Sequence, residues 1–270
     1  MLVARPKEVR ITHGLLTFCA ILLSTPTQAS GDPSVYRISP ATDGSIVGTA
    51  TLGIVLPTVF ASDLIHRRCP CDGNEVNPLD RRVIGNANPF LDNLSDATAA
   101  AAVGIPILAD WADLGWNPEL AEDSVVFAEV LAVNGAFVTL AKYTVQRPLP
   151  RTYAGDSTLV ESPGGYRSFY SGHTSLVFSA LTATAVTLDL RYHAGIWPWL
   201  VAAGVGLSVA VERVAAGRHF YTDVAVGAAA GALIGTLIPL WHAKSPETQQ
   251  AWHLGPAAYG AVEVSWLKHF

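Results

Sequence analysis

The chain has 270 residues, half of them hydrophobic and only 14% charged, with a formal net charge of −5. Soluble domains carry roughly a quarter of their residues as charges, so this composition points to a membrane protein or a very apolar helical bundle. The negative balance, and basic residues that cluster rather than line one face, argue against a nucleic-acid partner.

The N-terminus reads as a secretory signal over 1–29. Arg5, Lys7 and Arg10 form a positive region, 14–23 is an apolar stretch of signal length, and Thr27-Gln28-Ala29 is a small-residue cleavage site. The destination this predicts is the bacterial cell envelope, in the inner membrane or periplasm. A second segment, 30–94, holds a polar linker, a first helix at 46–61 carrying Pro57, and a loop from 63 rich in Arg, Asp, Asn and Pro. Cys69-Pro70-Cys71 lies in that loop. Two thiols cannot make a four-ligand zinc site, and an exported chain would close them into a local disulfide staple.

The core is expected over 95–243. Helix two starts at the capping pair Ser95-Asp96 and runs through 97–109; helix three covers 119–143, helix four 172–190, helix five 197–214 and helix six 222–241. Six helices of roughly 17–24 residues nearly match a bilayer's hydrocarbon thickness. The fold class is therefore all-α, a six-helix bundle, membrane-associated or multi-pass. Several helices are rich in Ala, Gly and Thr, which suits close packing. Glu129 and Glu212 should face the interior or a wet cavity. The tail, 244–270, half-alternates over 258–266 as a strand would.

Three polar clusters carry the chemistry. The first ends helix three and contains Lys142 and Arg147. The second is Ser171-Gly172-His173, an N-cap, a glycine permitting close backbone approach and a histidine at a helix start. The third runs from Arg213 through His219 to Asp223, between helices five and six. In a bundle of alternating direction the 3–4 and 5–6 connections emerge at one end. Lys142, Arg147, Ser171, Gly172, His173, Arg213, His219 and Asp223 can then share one site, fit for a phosphate-like oxyanion. Asp223 follows His219 by four residues and could hold one ring nitrogen, leaving the other to attack phosphorus, while His173 protonates the leaving oxygen. No carboxylate cluster suggests a metal, so no metal and no cofactor are expected.

These motifs resemble those of the type 2 phosphatidic acid phosphatase/vanadium haloperoxidase superfamily, whose pattern is K-x6-R-P, P-S-G-H and S-R-x5-H-x3-D. Arg213-x5-His219-x3-Asp223 matches, with Glu212 in place of the leading Ser; Ser171-Gly172-His173 matches, with Tyr170 in place of Pro. The resemblance covers about 95–243. It implies that His219 forms a phosphohistidine, Asp223 orients it, His173 is the general acid, and Lys142, Ser171, Gly172 and Arg213 bind phosphate. The first motif departs: Leu149 stands where the family has Arg, flanked by Arg147 and Arg151. Losing one such charged contact costs about 2–4 kcal/mol of barrier, a slower enzyme. The expected activity is a metal-independent acid or phosphatidic acid phosphatase-type hydrolase. Its partner would be a phosphate ester, lipid for preference, at a membrane. The alternatives are a non-catalytic binder of phosphate-bearing lipids and a vanadate-dependent haloperoxidase. With residue 30 outside, six spans would put the site on the cytoplasmic face, together with Arg67, Arg68, Arg81 and Arg82; a soluble bundle, or a first helix that does not span, would not.

Overall fold

The computed structural model describes residues 34–244 and two short strands, 254–256 and 262–264. The signal and most of the tail lie outside the described residues. Six long helices form the bundle: α1 Pro40–Val59, α2 Pro89–Leu114, α3 Pro118–Val145, α4 Gly172–Tyr192, α5 Trp197–Ala215 and α6 Tyr221–His242. The last three match the sequence expectation within two residues. Helix two begins earlier than expected, because Asn88 caps it through the Leu91 N–H and Pro89 occupies its first position. Ser95 and Asp96 therefore sit inside α2 rather than capping it. Ser171 caps α4 as expected, accepting from the Thr174 N–H at 3.4 Å. Strands β1 (Leu254–Pro256) and β2 (Val262–Val264) pair antiparallel, so the strand signal in the tail becomes one minimal hairpin.

Large apolar side chains cover the outside of the bundle, while small and polar residues share its interior with valine- and alanine-rich core clusters. Large hydrophobic side chains are exposed on α1 (Leu52, Leu56), α2 (Ile105, Leu108), α3 (Phe137, Leu140), α5 (Leu200, Leu207) and α6 (Leu233, Leu237). On α4 only Tyr192 is among them, and Thr174, Ser175, Ser179 and Thr182 are buried. That distribution suits lipid around the bundle and a helix sheathed by the others. By length and composition, α2, α5, α6 and the stretch Pro118–Tyr153 are apolar enough to cross a membrane. Glu129 and Glu212 are both buried, as expected.

The register that builds the site is set between α4 and α6, the most extensively packed pair. Gly227, Gly231 and Gly235 form a stripe on α6 that lies on Ser171, Ser175 and Ser179 of α4. A Cβ on these glycines would approach the three serine carbonyl oxygens to 2.7, 2.2 and 2.2 Å. Only glycine permits that approach. The matched ascending order makes the two helices parallel, so their N-termini lie side by side.

The loop before α2 packs on the same end. Arg68 donates to the Gln146 carbonyl, the Asn86 amide to the Val214 carbonyl, and the Thr222 N–H to the buried Asp80 carboxylate. Cys69 and Cys71 are disulfide-bonded within it.

Candidate active site

The end where α2, α4 and α6 begin and α3 and α5 finish collects the expected residues. His219 sits in the connection before α6 and is 4% exposed. Its Nδ1 lies 2.7 Å from the Ser168 carbonyl oxygen. A carbonyl only accepts, so Nδ1 carries the proton and Nε2 keeps its lone pair. Burial, reinforced by Lys142 and Arg213, holds the His219 imidazole well below the ordinary histidine range. The ring is therefore neutral at pH 7.

Asp223 does not make the direct contact expected of it. Its Oδ2 is 3.9 Å from His219 Nδ1, beyond hydrogen-bond range. As the third residue of α6 its carboxylate is committed elsewhere: Oδ2 accepts from the Phe220 N–H at 3.0 Å and the Ser168 hydroxyl at 2.5 Å, and Oδ1 accepts from Arg147 at 2.6 Å. Ser168 thus links the two, its hydroxyl on Asp223 and its carbonyl on His219.

Arg147 also departs from expectation. Its guanidinium does not stand open to a phosphate. Nη1 binds Asp223 and Thr222, Nη2 binds Asp80 at 2.8 Å, and the group stacks over the Phe220 ring at 4.0 Å. It lies behind the histidine as a brace. Burial alone would raise the Asp80 carboxyl, but hydrogen bonds from Arg147, Thr222 and Asn77 hold it below the ordinary carboxylate range. Arg151 is taken up by Asp156 at 2.7 Å, and Leu149 is buried with its N–H on the Gly165 carbonyl.

Lys142, Gly172, Arg213 and His173 do gather with His219. Lys142 Nζ donates to the Arg167 carbonyl at 2.6 Å, and its Cε would lie 3.7 Å from a Cβ placed on Gly172. The Ser171 N–H donates to the Asp223 carbonyl at 3.1 Å, tying the start of α4 to α6. Arg213 Nη1 reaches Asp92 at 2.9 Å and the Ser95 hydroxyl at 3.0 Å. Its Nε is buried without a hydrogen-bond partner among the described residues. His173 Nε2 is 2.8 Å from Asp96, whose side chain is 60% exposed.

Sequence reasoning missed this acidic row. Asp92, Ser95 and Asp96 fall on one face of α2 at helical spacing and hold Arg213, His173 and Arg218, the last bound by Asp92 through both Nε and Nη2. The signal was the Asp92/Asp96 pair four residues apart, hidden by reading Ser95-Asp96 as a cap. Arg167 was missed as well. Its guanidinium lies 6.0 Å from the Tyr143 ring centroid, its Nη1 donates to the Tyr143 hydroxyl at 3.3 Å, and its charge acts on Lys142.

Residues 123–247, spanning α3 to α6, match the model of the PAP2 superfamily. A curated relative, a lipid A 1-phosphatase of Porphyromonas gingivalis, is 28% identical over 214 residues, which are 75% of this chain and 40% of the relative. The chain thus aligns with less than half the length of that relative. Among solved structures, the crystal structure of Aquifex aeolicus LpxE has a TM-score of 0.43 at 23% identity, covering 59% of this chain and 92% of its own. A transmembrane PAP2-type phosphatidylglycerolphosphate phosphatase of Bacillus subtilis has a TM-score of 0.47 at 17% identity, covering 75% and 94%. At these TM-scores neither likeness adds to the fold described above. The α2 acids lie outside the matched span, whereas Lys142, Ser171-Gly172-His173 and Arg213-x5-His219-x3-Asp223 all lie within it. Through that segment, just under half of its length, the chain is similar to the PAP2 superfamily.

Proposed function

We propose that this chain is a metal-independent phosphatase of the envelope that hydrolyses a lipid phosphate or diphosphate, or another phosphomonoester, through a phosphohistidine. The observation that carries this reading is the buried His219, held by Ser168 in the tautomer that frees Nε2 and surrounded by Lys142, Arg213 and His173. In the first step Nε2 attacks phosphorus, the P–O ester bond breaks, and the leaving oxygen takes a proton from His173. In the second step water attacks the phosphohistidine, giving its proton to His173 and releasing phosphate and neutral His219.

Asp96 is exposed enough to yield the His173 Nε2 to the leaving group, and its carboxylate opposes the burial and the Arg213 charge that hold the ring below the ordinary histidine range. The unpartnered Arg213 Nε–H, Lys142 and the N–H groups opening α4 stabilise the phosphoryl oxygens. A buried donor without a partner is costly, and an oxyanion would satisfy it. Arg167, whose charge acts on Lys142, is the candidate for the role vacated at Leu149. Asp223 and Arg147 act through Ser168 and are positioning residues. The lipid A 1-phosphatase relative and the apolar outer face favour a lipid substrate at the membrane. Inner-membrane placement belongs to the same proposal.

The test is phosphate release from a panel of lipid phosphates, lipid diphosphates and soluble monoesters by detergent-purified protein. Release should be vanadate-sensitive and EDTA-resistant, and should fall by at least about 10³-fold in His219→Ala. Wild-type protein that releases phosphate from none of the panel sinks the proposal.

A further inference from the structure

At the far end of the bundle lies a second buried cluster that the hydrolytic site does not use. Asp43 in the first turn of α1, Glu129 within α3 and His242 at the end of α6 bring one donor atom each to within 4.8 Å of one another. Their exposures are 3%, 1% and 5%. His242 is 19 residues beyond Asp223 on α6, about 28 Å along the helix axis.

We infer that Asp43, Glu129 and His242 form a structural site for one divalent transition-metal ion, best matched to Zn²⁺. Four features of the geometry support it.

The first is spacing. His242 Nε2 lies 3.5 Å from Asp43 Oδ1 and 3.5 Å from Glu129 Oε2. Charge-assisted hydrogen bonds are about 2.7–2.9 Å long, so neither contact is a good one. Ligands held at about 2.0–2.1 Å from a tetrahedral zinc stand about 3.3–3.4 Å apart, close to the observed separations.

The second is the state of the donors. His242 Nδ1 is 2.9 Å from the Ile238 carbonyl, which fixes the proton there and turns the Nε2 lone pair to the carboxylates. Asp43 Oδ2 accepts from the Ser39 N–H at 2.8 Å, which leaves Oδ1 for the site. The third is Glu129 Oε2, which is buried and has no hydrogen-bond partner among the described residues.

The fourth is charge. The charges that act on Glu129 are those of His242 and Asp43. Two carboxylates gathered against one imidazole are an expensive arrangement inside an apolar bundle unless a cation meets them. A divalent cation would balance both carboxylates. Imidazole with two carboxylates suits zinc or its first-row neighbours, and water would complete the fourth position. The ion would join α1, which packs mainly on α3, to the end of α6. That end is already pinned by the Arg37 N–H on the His242 carbonyl and the Lys244 N–H on the Val35 carbonyl.

Full-length protein purified in detergent without a polyhistidine tag provides the test. Metal content is measured by mass spectrometry before chelation and after reloading with Zn²⁺, with Tm followed across a Zn²⁺ titration. The expected result is one zinc per chain and a Tm raised by several degrees in wild type. Both readouts should be lost in E129Q and H242Q and weakened in D43N, and the phosphate-release rate should be unchanged across the titration. The inference is overturned if chelated wild type binds no divalent ion in stoichiometric amount and its Tm does not move. It is equally overturned if E129Q and H242Q bind zinc as wild type does. Either result would make the triad a proton-sharing cluster. Should a variant fail to fold, the wild-type titration and D43N still decide.

Discussion

The two ends of the bundle each hold a buried histidine with Nδ1 on a backbone carbonyl and Nε2 left to its neighbours. At one end the carbonyl is Ser168 and Lys142 and Arg213 are the charges around the ring. At the other it is Ile238, and the neighbours are Asp43 and Glu129. One local device therefore gives opposite chemistry. Cations around a neutral imidazole suit an anion that the free nitrogen can attack, whereas carboxylates around it suit a cation that the nitrogen can bind. The helix polarities do not distinguish the ends, because starts and finishes alternate at both. The side chains placed there do.

That contrast is tested most severely at Asp223. Asp223→Ala removes one of the two carboxylates that hold Arg147 and frees the Ser168 hydroxyl. It should cost about 3 kcal/mol, a drop of roughly 6–12 °C in Tm by thermal unfolding. Phosphate release should fall by roughly 10²- to 10⁴-fold, because Ser168 no longer fixes His219. An unchanged Tm would mean that Asp80 alone satisfies Arg147.

A smaller loss is expected at Gly231. Its Cβ would come within 2.2 Å of the Ser175 carbonyl oxygen, so Gly231→Ala must separate α4 from α6. A destabilisation of about 1–3 kcal/mol follows. His173 should shift relative to His219, giving a kcat loss larger than any change in KM. Full activity in this variant would show that the glycine stripe does not set the site's register.

Asp96→Asn keeps the shape of the His173 partner and removes its charge. It should lower kcat about tenfold, or about 1.4 kcal/mol of barrier, with little effect on Tm because Asp96 is exposed. A Tm loss without a kcat loss would make Asp96 a structural residue only.

The mildest effect is that of pH. The folded chain holds His219 below the ordinary histidine range, while the unfolded chain binds its proton near pH 6.5. Below that value the unfolded state binds more protons than the folded one, so this contribution to stability is complete above about pH 6.5 and is lost as pH falls toward the depressed folded value. The neutral nucleophile should likewise persist below pH 6.5, placing the acid limb of kcat/KM under the usual histidine position. A limb centred at the ordinary value would point to a solvated ring.

Much of the molecule was legible in the chain. The apolar stretches and their caps located α4, α5 and α6, and short-range motifs named Lys142, Ser171-Gly172-His173, Arg213 and His219. These are local signals, carried by neighbouring residues on one turn or at one helix start. The tertiary structure alone decided who meets whom. The partner of His219 Nδ1 is 51 residues away at Ser168, Arg147 is held by Asp80 67 residues away, and Arg213 meets Asp92 across 121 residues. Asp43, Glu129 and His242 come from three helices with no spacing to betray them. Such meetings depend on the rotation and register of whole helices. Here those are fixed by three glycines against three serine carbonyls, a contact that periodicity permits but does not specify.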